Sequence, residues 1–288
     1  MSELRPRTPA QRPETARPRE AAEPAIEPPT IDELEHMQRH LVSLPRHSGA
    51  LLVDDPALGA LLIKQADHGP GGNYAAMPRW TADGWRDSLR AVNEVLQGWG
   101  AWPSLLLADR LDRPIGLGRA VADLGWSSVL RETVLWVARA SVVPHLDPRM
   151  RIEAVKPDRV TDHESLERHI FGLPEARADE RRAATADALA SGQLRAYVVR
   201  VDEEPVAVAR LSQGDGVAGI YAVGVAESWR RQGYGALITI VATRAGMALG
   251  NRLVWLSVED GNDAARRVYT RLGFQPAFSW ARWLALVE

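Results

Sequence analysis

Residues 220–259 constrain the fold of this chain more than any other stretch. "IYAVGV" (220–225) is a β-branched run, "AESWRRQ" a charged turn, "GYGALITIVATRAGMALG" an apolar helix over about 233–249, and "RLVWLSVE" (252–259) a further strand. Strand, helix and strand in that order make a βαβ crossover. Just upstream, "RAYVVRVDEEPVAVARLSQGDGVAGIYAVGV" holds three strands joined by the tight turns "DEEP" and "QGDG", the mark of antiparallel hairpins. An antiparallel start running into a crossover places the chain in the mixed α/β (α+β) class.

The remaining elements follow from periodicity. "TIDELEHMQRHLV" opens with Thr30 and carries Glu33 three residues on, a capping box before an amphipathic helix. "WTADGWRDSLRAVNEVLQGWG" puts Trp85, Leu89, Val92 and Leu96 on one helical face. "SLLLAD" (104–109) is a short buried strand, and a helix through "GLGRAVADLGW" leads into the strand "SVLRETVLWVAR". "ASVVPHLDPRM" (140–150), with two prolines and no periodicity, is the expected domain boundary. Beyond it come the strand "RIEAVKP", helices over "DHESLERHIFG" and "ARADERRAATADALASG", and, after residue 259, the helix "GNDAARRVYTRLG" and two terminal strands. The expected organisation is a tail over 1–29, an accessory domain over 30–140 and a second domain over 151–288. The spacing from "SLLLAD" to "DLGW" and on to Trp136 nearly matches that from "LVWLSVED" to "RLGF" and on to Trp283, which suggests an internal duplication.

Composition narrows the function. At 288 residues, 45% apolar and 25% charged, the chain reads as an ordinary globular protein with a sizeable core. A net charge of −2, with Arg interspersed among Asp and Glu, gives no case for nucleic acid. No cysteine is present, which excludes disulfides, thiolate metal sites and a Cys nucleophile. Residues 1–29 hold seven prolines and almost no large apolar side chains, the composition of a disordered segment. No signal-peptide pattern and no 18-residue apolar run are seen, so a cytoplasmic protein without membrane contact is the expectation.

Two glycine motifs compete for an anion. "GDGVAG" matches G-x-G-x-x-G at Gly214, Gly216 and Gly219, but a strand follows it where the dinucleotide fingerprint needs a helix. It reads as a hairpin turn. In "RRQGYGA", Gly233 and Gly235 stand at a helix mouth behind Arg230, Arg231 and Gln232, with Tyr234 and Ala236 completing the turn. Bare N–H groups at a helix N-terminus with arginines beside them suit a diphosphate. Further on, Asn262, Ala265 and Tyr269 share one helical face, so Asn262 and Tyr269 point toward one ligand.

Arg230-x-x-Gly233-x-Gly235 after a strand ending in Val225, followed by Asn262-x-x-Ala265-x-x-x-Tyr269-x-x-x-Gly273-Phe274, resembles the GNAT acyltransferase superfamily over roughly 151–288. The resemblance implies a twisted, mostly antiparallel sheet flanked by helices, with two central strands splayed around acyl-CoA. It implies acetyl-CoA as co-substrate and a small-molecule or peptide primary amine as acceptor, attacked directly in a ternary complex. Val223, Gly224 and Val225 would present backbone groups to the pantetheine and acyl carbonyl. Arg231 to Ala236 would give N–H groups to the pyrophosphate, Asn262 would bond the pantetheine arm, and Tyr269 would protonate the departing thiolate. For the general base, Ser257 stands where some family members have Glu, and Ile220 and Tyr221 where others have an acid. Glu259 is the expected substitute.

The first half has no R-x-x-G-x-G signature. It resembles the degenerate half of a tandem family member, expected to shape the acceptor cleft without binding CoA. Its tryptophans (Trp80, Trp85, Trp99, Trp102, Trp126) are expected mostly in the core; Tyr74 or Arg79 could touch an acceptor, though neither is the expected contact. His36 and His40 lie i, i+4 on one helix, but no further ligand completes a metal site and a solvated face is expected. The rival reading is a non-catalytic acyl-CoA sensor.

Overall fold

The computed structural model describes residues 26–65, 72–144, 147–214 and 216–285. Of the expected tail, residues 1–25 lie outside the described residues, and 26–30 have no regular structure. The first half runs α1 (Ile31–Ser43), a 3₁₀ turn (Leu44–Ser48), β1 (Leu51–Asp55), β2 (Ala60–Lys64), β3 (Tyr74–Ala76), α2 (Trp85–Gly98), β4 (Ser104–Ala108), α3 (Leu117–Ala122) and β5 (Trp126–Val137). The second runs β6 (Met150–Ala154), α4 (Val160–Phe171), α5 (Ala178–Ala190), β7 (Leu194–Val201), β8 (Glu204–Gly214), β9 (Val217–Val225), a 3₁₀ turn (Glu227–Trp229), α6 (Tyr234–Ala248), β10 (Leu253–Glu259), α7 (Asp263–Arg271) and β11 (Gln275–Ala285). No described helix is long and apolar enough to cross a membrane.

The local signals act as their chemistry requires. Thr30 and Glu33 close the capping box on α1, and Glu33 then ion-pairs with Arg252 at the start of β10. In α2 the buried residues are Trp85, Leu89, Val92 and Leu96, one continuous stripe.

The described strands form one sheet in the order β1-β2-β3-β4-β11-β5-β10-β9-β8-β7-β6. Apart from the edge strand β6, this order is symmetric about the central pair. Outward from β11 the pairings with β4, β3, β2 and β1 are antiparallel, parallel, antiparallel, antiparallel. Outward from β5 the pairings with β10, β9, β8 and β7 repeat that series. The halves have exchanged their last strands: β5 lies between β11 and β10, and β11 between β4 and β5. Left-handed glycines, Gly125 and Gly273, turn the chain into each exchanged strand.

Where two terminal strands were expected, one strand of 11 residues, β11, is found. Its register slips between Pro276 and Phe278 and between Arg282 and Trp283. Each slip resets the side-chain alternation, so one bulged strand reads as two. The hairpin β1–β2 was not anticipated; its edge strand is half exposed and shows no clean alternation.

Alternation sorts the core by face. Val254, Leu256 and Val258 of β10 pack with α6, Tyr269 and Phe274, and α2 and α3 cover the same face of the first half. The opposite face carries Trp136, Trp255, Phe278 and Trp280 under α1, with α4 beside it on Val198 and Val208. Of the five tryptophans expected in the core, Trp80, Trp85 and Trp126 are buried and Trp102 is exposed.

Candidate active site

The site begins where two parallel strands part. β9 and β10 pair from Val217↔Leu253 to Ile220↔Leu256 and no further. Ala222 then adopts a left-handed φ of 50°, and the register of β9 on β8 slips between Val208 and Arg210. The ends of β9 and β10 therefore diverge into a wedge. Val223 and Val225 line the α6 side, while Gly224 is pressed against α4: a Cβ there would lie 2.7 Å from Ile170 Cγ2.

Beyond the wedge the chain turns through Arg230, Arg231 (φ 65°), Gln232 and Gly233 (φ 91°) into α6. Arg230 Nε donates to the carbonyl of Val225 at 3.3 Å, which holds the turn against the strand end. No side chain caps α6 and no acid lies in its first turn, so its leading N–H groups stay available. Arg231, Gln232 and Gly233 are exposed, Tyr234 is buried, and Gly235 and Ala236 are half-buried. Within the chain, a side chain at Gly233 would meet nothing within 4 Å, and one at Gly235 only Val225 at 3.6 Å.

Asn262 is the cap of α7 and lies just outside the helix; its Oδ1 accepts the Ala265 N–H at 3.1 Å. Its Nδ2–H₂ is left for another partner. Tyr269 is buried beside Phe274, with ring centroids 6.0 Å apart. Burial pushes its hydroxyl up to about 12, so the ring stays protonated at neutral pH.

On the opposite face of the sheet lies a cavity of about 370 Å³, walled by both halves. Leu41, Leu44, Pro45, Tyr74, Leu106 and Glu132 come from the first half; Tyr221, Trp255, Ser257 and Arg210 are among those from the second. Tyr74 therefore lines it, whereas Arg79 pairs with Asp112 and Glu35 elsewhere. Glu259 lies exposed at the strand end, in register with Glu132 of β5. Glu132 lines the cavity as Glu164 and Glu167 do, and it is hydrogen-bonded by the Ser257 hydroxyl. Burial raises its pKa, and the charges of Glu259 and Asp260 push the same way. Glu132 was missed in the sequence, yet it shares an alternation face with Val134 and Trp136, where a solvated carboxylate does not belong.

The far wall is a buried ion cluster. Arg210 pairs with Glu164 and Glu167 of α4, and Thr185 donates to Glu164 at 2.6 Å. His163, Glu164 and Glu167 each place a ligand atom within 4.8 Å of the others, but the guanidinium already holds both carboxylates and is the cation of this cluster. The first half adds two histidines to the same region. His36 is exposed, but His40 is buried and its Nε2 lies 2.8 Å from Ser212 Oγ, which corrects the expected solvated face. The chain folds α1 onto β8 and β9, a contact invisible to helical periodicity. His47 Nδ1 lies 2.7 Å from the hydroxyl of Tyr221.

A model of the acetyltransferase (GNAT) family matches residues 160–274. Residues 160–274 form a GNAT domain. A mycothiol acetyltransferase of Parafrankia sp. (strain EAN1pec) is 41% identical over 76 residues, 26% of this chain and 24% of that protein. The chain thus spans about a quarter of that relative's length. Among solved structures, a GCN5-related N-acetyltransferase from Kribbella flavida superposes with a TM-score of 0.67 at 22% identity, covering 90% of this chain and 96% of that one. A tandem GNAT protein from the clavulanic acid biosynthesis pathway gives 0.59 at 17% identity, covering 80% and 79%. The fold of the described residues is that of GNAT proteins, a tandem one among them.

The first half lacks the open wedge of the GNAT domain. β3 and β4 also part after a left-handed residue, Met77 (φ 52°). The gap, however, is filled by the loop after β4: Arg113 N–H donates to the Pro78 carbonyl at 2.9 Å, and Trp80 N–H to the Arg113 carbonyl at 3.3 Å. The helix that follows, α2, starts on Gly84 at an ordinary φ of −95° and carries Asp87 in its first turn. A carboxylate there opposes an incoming anion.

Proposed function

We propose that the protein transfers an acetyl group from acetyl-CoA to a primary amine in the cavity, by direct attack within a ternary complex. The feature that supports this best is the uncapped, acid-free mouth of α6 opening onto the wedge between β9 and β10. The N–H groups of Arg231 to Ala236 and the side chains of Arg230 and Arg231 suit the diphosphate. Val223, Gly224 and Val225 would offer backbone groups to the pantetheine and acyl carbonyl, and Asn262 its Nδ2–H to the same arm. Acetyl-CoA supplies the activated thioester when bound.

The chain's own residues then move protons. Glu132 takes a proton from the attacking nitrogen; its raised proton affinity suits an amine better than an exposed carboxylate would. Glu259 contributes through charge, holding that affinity up. Tyr269 donates to the departing thiolate, and its burial guarantees that it carries the proton. With no cysteine in the chain, no thiol is available for an acyl-enzyme. A cavity roofed by α1 and its 3₁₀ turn favours a small-molecule acceptor over a folded protein. The relative named for mycothiol acetylation supports the same reaction type.

Calorimetry with acetyl-CoA, followed by CoA release across a panel of primary amines, tests the reading. Tyr269→Phe should bind acetyl-CoA normally and lose about 10²–10⁴-fold in kcat. Tight binding with no turnover on any amine would instead identify an acyl-CoA sensor.

A further inference from the structure

An alkylammonium arrives with three protons on nitrogen, and the amide product keeps one. Two must leave. One is balanced by the proton that Tyr269 gives the thiolate, and the other is released to water. Glu132 can hold only one proton at a time, and it is needed at the moment of attack. The ammonium therefore needs a second acceptor for a proton before attack.

Such a path is built into the wall. Tyr221 lines the inner cavity. Its hydroxyl lies 2.7 Å from His47 Nδ1, and the two rings stack with centroids 6.1 Å apart at 18°. His47 in turn lines a second pocket of about 340 Å³ on the other side. That pocket is rimmed by exposed Arg39, Arg46, Gln193 and Gln213, so it reaches solvent. The pair spans the partition between the two spaces.

We infer that Tyr221 and His47 form a proton outlet from the acceptor cavity to the outer pocket. This rests on the acetyl-transfer reading above. The ammonium N–H gives its proton to the Tyr221 oxygen as the Tyr221 O–H gives its own to His47 Nδ1. His47 then releases the Nε2 proton to water in the outer pocket. One N–H bond breaks, one proton reaches solvent, and the neutral amine remains to attack.

The surroundings suit a relay. Arg210 and Ser212 of β8, Glu167 of α4 and Arg46 of the 3₁₀ turn face the pair. Burial and the charges of Arg210 and Arg46 hold His47 down to about 4, so it does not retain a proton. Passing one from an alkylammonium near 10 costs about six powers of ten. Against an elementary frequency of roughly 6 × 10¹² s⁻¹ that still allows about 10⁶ transfers per second, far above an ordinary kcat. The first half supplies the titratable partner.

His47→Gln keeps a hydrogen-bonding group for Tyr221 but relays no proton. With the amine that the wild type acetylates, it should slow kcat by about 10- to 100-fold near neutral pH. That loss should vanish as pH approaches the amine's own pKa, where the acceptor arrives neutral. His47→Ala should be slowed equally and restored by added imidazole, which the outer pocket accommodates. A His47→Gln enzyme at the wild-type rate, a loss unchanged across pH, or a folded His47→Ala that imidazole does not restore overturns the outlet alone. A wild type that acetylates no amine overturns the transfer reading and the outlet with it.

Discussion

The two halves share strand order, pairing sense and a left-handed residue at the point where two parallel strands part, yet only one keeps the gap. In the second half, α6 begins uncapped on Gly233 with no acid in its first turn. In the first, Arg113 stitches the gap shut through backbone bonds to Pro78 and Trp80, and Asp87 sits at the mouth of α2. A binding wedge in this fold is thus a default of the topology that a short loop can erase. The first half also furnishes side chains to the second: Glu132 and Tyr74 line the cavity, and His47 bonds Tyr221 of its wall.

The contrast can be broken from either side. Trp80→Ala removes a buried ring whose Nε1–H bonds the Leu58 carbonyl at 2.8 Å, and should cost about 3–5 kcal/mol in denaturant titration. Acetyl-CoA should still bind at one site per chain by calorimetry; a second site appearing would mean that the first half retains a latent cradle. Glu132→Gln should lower kcat by about 10²–10³-fold although it lies in the half without a CoA site. Because the base must be ionised and burial raises its pKa, wild-type kcat/KM should fall as pH drops through a value above the ordinary carboxylate range. The Gln variant should lose that limb. Smallest, Gly233→Val forces a β-branched residue to a φ of 91°, about 1–3 kcal/mol of strain. Acetyl-CoA affinity should weaken by about tenfold or more, while Gly84→Ala, at the corresponding mouth in the first half, leaves it unchanged.

Local chemistry was legible in the sequence and long-range pairing was not. The capping box at Thr30, the apolar stripe of α2 and the glycine-opened α6 are each decided within a few residues, so patterns of two and 3.6 expose them. The near-equal spacings of the two strand–helix–strand segments hinted at the symmetry now seen in the sheet. Their exchange of β5 and β11 could not be read, because it depends on which strand edge each segment finds. Glu132 was hidden for the same reason: its role depends on Ser257, 125 residues away in sequence. His40 and His47 carry no local signal beyond their residue type. The loop that closes the first-half gap acts through backbone groups, which every sequence possesses.

Strand exchange also binds the fates of the halves together. Each sheet segment is completed by the other's last strand, so a break between residues 140 and 150 would leave two fragments that are each missing an inner partner. Neither could become a free-standing enzyme by simple deletion. Removing the first half would withdraw β5, and Glu132 with it, from between β10 and β11.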